Sequence, residues 1–157
     1  MKTMKAIFVG AVLALAGMAT AATAADSVVG TWMLNTAKST FDPGPAVKSQ
    51  TRTYMEDADG ISVTVTGVAA DGSAISQQST FKYDGKAYAW SGSADFDALS
   101  LKRVNGSTVT AVLMKAGKKV GATTRAISDH GKTLTLSATL TGADGKSSKT
   151  KMVFDKQ

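Results

Sequence analysis

Seven dipeptides ending in glycine punctuate the chain: Asp59-Gly60, Asp71-Gly72, Asp84-Gly85, Asn105-Gly106, Ala116-Gly117, His130-Gly131 and Asp144-Gly145. Successive glycines lie 11 to 14 residues apart, except for the 21 from Gly85 to Gly106, where Ser91-Gly92-Ser93-Ala94-Asp95 supplies a turn of its own. Asp-Gly and Asn-Gly suit tight hairpins because the central residues of those turns need positive φ. Each interval is too short for a helix and a strand together, and long enough for one strand and its turn. Such a chain is constrained to an antiparallel meander.

The runs between the turns alternate with a period of two, as half-buried strands do. Ile61-Ser62-Val63-Thr64-Val65-Thr66 and Lys132-Thr133-Leu134-Thr135-Leu136-Ser137 are clear instances. The pattern predicts about ten strands, over 28–34, 50–57, 61–67, 74–83, 86–90, 98–104, 107–115, 118–128, 132–141 and 147–155. No helical stripe appears after residue 24. An up-and-down sheet with one apolar face buries it by curling into a barrel or by folding into two layers, and closure removes the exposed edges. The fold class expected is therefore all-β, an antiparallel meander of about 8–10 strands, closed or nearly closed.

The first residues read as an address. Lys2 and Lys5 precede the apolar run Ala6 to Met18, and Ala22-Thr23-Ala24 has the small-residue pattern of a cleavage site. The expectation is a signal peptide over 1–24, cut after Ala24 or one residue later, and a single domain over 25–157, placed in the periplasm or secreted from a bacterium. The apolar run falls short of the ~20 residues of a spanning helix, so no transmembrane anchor is expected after cleavage. The absence of cysteine excludes disulfides, thiol chemistry and zinc-thiolate sites. Loss of Lys2 and Lys5 takes the net charge from +6 to +4. The remaining cations are scattered, with no cluster beside stacking aromatics, so nucleic acid is not an expected partner.

Gly30-Thr31-Trp32 opens the first predicted strand. In that place it resembles the Gly-x-Trp signature of the calycins, the lipocalins, fatty-acid-binding proteins and avidins. The stretch from Val28 to about Gly60 also resembles small exported bacterial proteins described as lipocalin-like. The resemblance implies a calycin-like barrel in which Trp32 plugs the base and an Arg of the last strand packs across it. Here the last strand offers Lys149 and Lys151 but no Arg. Ten strands match the fatty-acid-binding arrangement, eight the lipocalins, although the helix pair between the first two strands of fatty-acid-binding proteins is missing. In its place Asn35 to Lys48 reads as a Pro/Gly-punctuated loop, with Phe41 just before the turn at Asp42-Pro43-Gly44. This loop is either a lid over a ligand, with Phe41 tucked beneath it, or a static wrap.

Alternation places Ile61, Val63, Val65, Leu99, Leu101, Leu134, Leu136, Ala138, Leu140, Met152 and Phe154 inside. In 107–115, Val109, Ala111 and Leu113 share one face, while Val112 and Met114 share the other, to be covered by the long loop or by a second copy, as in a homodimer. Among polar residues, Arg103 keeps phase with Leu99 and Leu101 and is expected to point inward. Arg52 and Tyr54 share a face, and Gln77 and Ser79 share parity with Ile75, Phe81 and Tyr83. Arg125 agrees in parity with Ile127, whereas Val120, Ala122 and Ala126 argue for the opposite face. A buried Arg beside a Tyr suits a carboxylate or other anion, as the resemblance to fatty-acid-binding proteins implies. The candidate ligand-binding set is Arg103, Tyr54, Arg52, Gln77, Leu99, Leu101 and Leu136.

No catalytic constellation is legible. His130, the sole histidine, falls in a predicted exposed turn with no nucleophile elbow elsewhere. The acids cluster in turns, where Asp serves local geometry, and neither a metal site nor a cofactor motif is visible. The function expected is the binding of a small apolar or amphipathic molecule in the interior. The alternative is a non-enzymatic structural or interaction protein of the cell envelope that recognises a macromolecular partner.

Overall fold

A computed structural model of the protein describes residues 24–157; the expected leader, 1–24, lies almost wholly outside the described residues. Eleven strands follow in order: β1 (Gly30–Leu34), β2 (Thr40–Asp42), β3 (Ser49–Asp57), β4 (Gly60–Val68), β5 (Ala74–Phe81), β6 (Asp84–Ala89), β7 (Ala98–Arg103), β8 (Thr108–Lys115), β9 (Lys118–Ser128), β10 (Thr133–Thr141) and β11 (Ser147–Lys156). Single 3₁₀ turns occupy Thr36–Lys38 and Asp129–Gly131. Ten of the strands fall where the alternation puts them. All pair in one antiparallel sheet, in the order β5-β4-β3-β1-β11-β10-β9-β8-β7-β6.

The first and last strands zip together, Trp32 opposite Lys156 and Leu34 opposite Phe154, so the sheet curls into a barrel. The remaining seam, between β5 and β6, is bridged by Gln78 and Ser91, whose backbone groups exchange hydrogen bonds of 3.2 and 3.0 Å. The Ser79 hydroxyl reaches the Ala89 carbonyl beside it (2.7 Å). Gly92 makes this approach possible: at φ +85° a Cβ there would lie 2.0 Å from the Ser76 carbonyl oxygen. The barrel is thus nearly closed.

The segment from Asn35 to Lys48 departs from the loop expected of it. Its first part is wall. β2 pairs with β11, Phe41 opposite Thr150, on the same edge of β11 that β1 occupies further along. A single 3₁₀ turn separates the two, capped by Asn35 Oδ1 accepting from the Lys38 amide (3.2 Å). The Ser39 hydroxyl accepts from the Val153 amide (2.9 Å), satisfying a ladder donor that the turn would leave orphaned. The signal for β2 is weak because only three residues pair before Pro43, which lacks an N–H.

The core contains the expected inward residues of β4, β7 and β8, Leu134 and Leu136 of β10 and Phe154 of β11, together with Val28, Trp32, Tyr54, Phe81 and Trp90, with Leu140 and Met152 partly buried against it. Ala138 lines the outer end of the barrel instead. The outer alternates are largely Thr, Ser and Lys. Val112 is 37% exposed and uncovered by the loop. The parity conflict in β9 is resolved by a register shift where Leu113 pairs with Gly121 and Met114 with Lys119. Val120 is the extra residue of this bulge. It packs against the core out of phase, and beyond it Thr123 and Arg125 point inward. One inserted residue reverses the phase of everything after it.

The base of the barrel is closed from below. Trp32 and Val28 are fully buried, and the indole N–H donates to the Val28 carbonyl (2.7 Å). The Nζ of Lys156, from the last strand, lies 5.1 Å from the Trp32 ring centroid, where the resemblance expected an arginine. Asp26 forms an ion pair with Arg103, and Ser27 Oγ reaches the Gly106 carbonyl (3.4 Å). Among the described residues no helix is long and apolar enough to cross a membrane.

Candidate functional site

A cavity runs up the barrel in two compartments. The inner one, about 70 Å³, is walled by Arg52, Tyr54, Phe81, Trp90, Leu101 and Arg125 among others. The outer one, about 310 Å³, lies at the mouth, with Phe41, Ile75, Phe96, Leu140 and Met152 on its walls. Arg52, Phe96, Leu113, Thr123 and Leu136 line both, so the two compartments adjoin. Phe96 comes from the β6–β7 connection and its ring lies 5.4 Å from that of Trp90. The Trp90 indole N–H is held by the Gln77 side-chain oxygen (3.2 Å). The outer volume falls within the ~300–1,000 Å³ of small-molecule pockets.

Two arginines give the inner compartment its chemistry. Arg52, on β3, and Arg125, on β9, are 8% and 6% exposed. Arg52 Nε donates to Gln50 Oε1 (3.0 Å) and its Nη1 to the Tyr54 hydroxyl (3.4 Å). Arg125 Nη2 donates to the Tyr83 hydroxyl (2.6 Å), and its guanidinium lies 5.4 Å from the Tyr54 ring centroid. Among the described residues neither forms an ion pair with a carboxylate. Buried charges are ordinarily paired because desolvation costs several kcal/mol per ion. Here phenols, an amide and aromatic faces provide only part of that compensation.

The titration of the surrounding groups carries the imprint of this charge. Burial alone would raise the pKa of Tyr54, yet the charges of Arg52 and Arg125 outweigh it and hold the phenol below its ordinary value. Tyr83 is pushed up by burial, with Arg125 opposing. Burial works to lower the pKa of Arg125, but Tyr54 and Tyr83 outweigh it, and Asp26 adds a smaller attraction. The Tyr54 hydroxyl accepts from Arg52 and so keeps its own proton to donate. The inner compartment can therefore present several donors to one anion.

Of the residues singled out from sequence, Arg52, Tyr54, Leu99, Leu101 and Leu136 line the inner compartment. Gln77 lines the outer one and steadies Trp90. Phe41 lines the mouth from within a strand rather than from a loop. Trp32 sits at the base. Arg103 is corrected: it does not line either compartment. Its side chain is 38% exposed and turns downward, stacked 4.3 Å from the Tyr83 ring centroid and paired with Asp26. As the last residue of β7 it has passed the end of the barrel, where the carboxylate of the base segment draws it away from the interior. Arg125 takes the inward position instead. Gln50, Trp90 and Phe96 were not signalled. Phe96 lies outside any strand, and Trp90 falls just past the end of β6, so neither carries a usable period. His130 lies exposed in the 129–131 turn.

No protein-family model matches the chain, and no curated protein matches it. Among solved structures, it is similar to zebrafish ileal bile acid-binding protein complexed with cholic acid, with 14% identity and a TM-score of 0.49 over 83% of this chain and 99% of that one. It is also similar to lobster apocrustacyanin A1, with 14% identity and a TM-score of 0.45 over 85% of this chain and 62% of that one.

Proposed function

We propose that the protein is exported and that its barrel binds a small amphipathic anion, with the charged head in the inner compartment between Arg52 and Arg125 and the apolar part toward the mouth. The observation that carries this reading is the pair of buried guanidinium groups without carboxylate partners among the described residues, beneath an outer compartment whose walls are mainly apolar and carry one carboxylate, Asp95. An anion entering there completes the pairing that the chain leaves open, and charge-assisted hydrogen bonds of this kind are about twice as strong as neutral ones. Phe41, Phe96, Leu140 and Met152 supply the apolar surface for the remainder. The apolar run at Ala6 to Met18 supports export.

The test is calorimetric titration of the purified protein with medium-chain carboxylates and with the alcohols of equal length. Saturable binding of the carboxylate, at least tenfold tighter than the alcohol, supports the reading. Equal affinity removes the anion from it, and no saturable binding of either removes the ligand.

A further inference from the structure

Asp26 is the first residue tied to the barrel. Among the described residues Ala24 and Ala25 are exposed and make no hydrogen bond. Every polar group of Asp26, by contrast, is engaged. Its carboxylate pairs with Arg103 and accepts from the Val28 amide (3.0 Å), and its carbonyl accepts from the Val29 amide (2.9 Å). Its backbone nitrogen points at a carboxylate on β3, donating to Glu56 Oε2 at 2.9 Å. An amide needs only a neutral acceptor, and a carboxylate is the partner suited to an ammonium.

We propose that a processing protease cuts between Ala25 and Asp26, and that the α-ammonium so formed pairs with Glu56 to complete the base of the barrel. The inference rests on the proposed export. Hydrolysis of the Ala25–Asp26 peptide bond adds one water, leaving the leader with the carboxylate of Ala25 and the domain with the amine of Asp26. The cut leaves alanine at its immediate upstream side and Thr23 two residues before, both small enough for such a protease. A cut one residue earlier would leave an amide against Glu56 and carry the ammonium a further ~3.8 Å of chain away. The other charged groups around the new terminus are the Asp26 carboxylate, its ion-pair partner Arg103 and, as a weaker influence, Arg125, so Glu56 is the carboxylate left for the amine. The segment Asp26 to Val29 also supplies the carbonyl that holds the Trp32 indole. The processed terminus is therefore anchored directly to the plug.

The test has two arms on protein produced with its own leader and recovered from the cell envelope. Intact mass and N-terminal sequencing read the cut. A first residue of Asp26 supports the proposal. A processed chain beginning elsewhere overturns it while leaving export intact, and a chain still carrying Met1 in the cytoplasm overturns export and this inference together. In the second arm an aldehyde reagent selective for the N-terminal amine is reacted with the processed protein and with its Glu56→Gln variant near neutral pH. Pairing predicts modification about two- to fivefold faster in the variant, the range of an exposed ion pair. Equal rates overturn the pairing, and unchanged thermal unfolding of the variant's core confirms that a faster rate is not a loss of fold.

Discussion

Arg125 and Tyr83 meet across the barrel, the guanidinium Nη2 donating to the phenol oxygen at 2.6 Å. The guanidinium of Arg103, the partner of Asp26, lies 4.3 Å from the centroid of the same ring. A single tyrosine thus contacts both a cation committed to the base and a cation turned toward the cavity. The division of labour between the two arginines follows from what each can reach.

Arg125→Met and Arg52→Met remove a buried charge while keeping most of the side-chain volume. Replacing uncompensated buried ions by apolar groups is often neutral or stabilising. The unliganded variants should lie within about 1 kcal/mol of the parent or above it in urea unfolding. Binding of an anionic amphiphile should weaken by about 2–5 kcal/mol, the cost of losing one partner of a buried charge pair. Loss of stability with binding retained would mean that the arginines serve the fold alone.

Trp32→Phe leaves the Val28 carbonyl without its indole donor and opens space at the base. The expected loss is about 2–4 kcal/mol, from an unsatisfied buried acceptor and a cavity together. Equilibrium unfolding checks it, and a loss below about 1 kcal/mol would show that the plug is not a principal anchor.

Most of the architecture was legible because barrel strands repeat a two-residue rule between turns with recognisable chemistry. Ile61, Val63 and Val65, or Leu134 and Leu136, needed nothing further. The site was harder to read, for two physical reasons. The bulge at Val120 shifts the phase of β9, so Arg125 could not be assigned by counting from Val120. Arg103 kept perfect parity with Leu99 and Leu101 and still left the interior, since parity fixes the side of a strand but not what waits beyond its end. Asp26, 77 residues away in sequence, decides that. Lys156 over Trp32 shows the complementary case, a role the resemblance anticipated but assigned to a different cation.

Asp26 gives the account a pH dependence. Burial would raise its pKa, but the Val28 amide and Arg103 outweigh that and hold it below the ordinary 3.8. A carboxylate depressed in the folded state contributes stability that is present above the unfolded pKa and lost as pH falls through the folded one. Asp26→Asn should therefore be less stable than the parent at pH 7, by about 1–2 kcal/mol, and the difference should close below pH 4. A gap that persists at low pH would assign the effect to something other than the ionised carboxylate.

Gly92→Ala tests the seam. The added methyl would meet the Ser76 carbonyl at 2.0 Å in a backbone conformation that already disfavours a side chain. A loss of about 1–3 kcal/mol is expected, with faster hydrogen exchange of the Gln78 and Ser91 amides. Unaltered exchange at those two amides would show that the bridge between β5 and β6 does not depend on this glycine.

The most direct measurement follows the arginine Nε–H resonances of the purified protein by NMR while a medium-chain carboxylate is added. The account predicts that the signals of Arg52 and Arg125 shift and saturate together, with one dissociation constant, while that of Arg103 stays in place beside Asp26. Movement of Arg103 with Arg52 and Arg125 unchanged, or no saturable shift in any of the three, would contradict it.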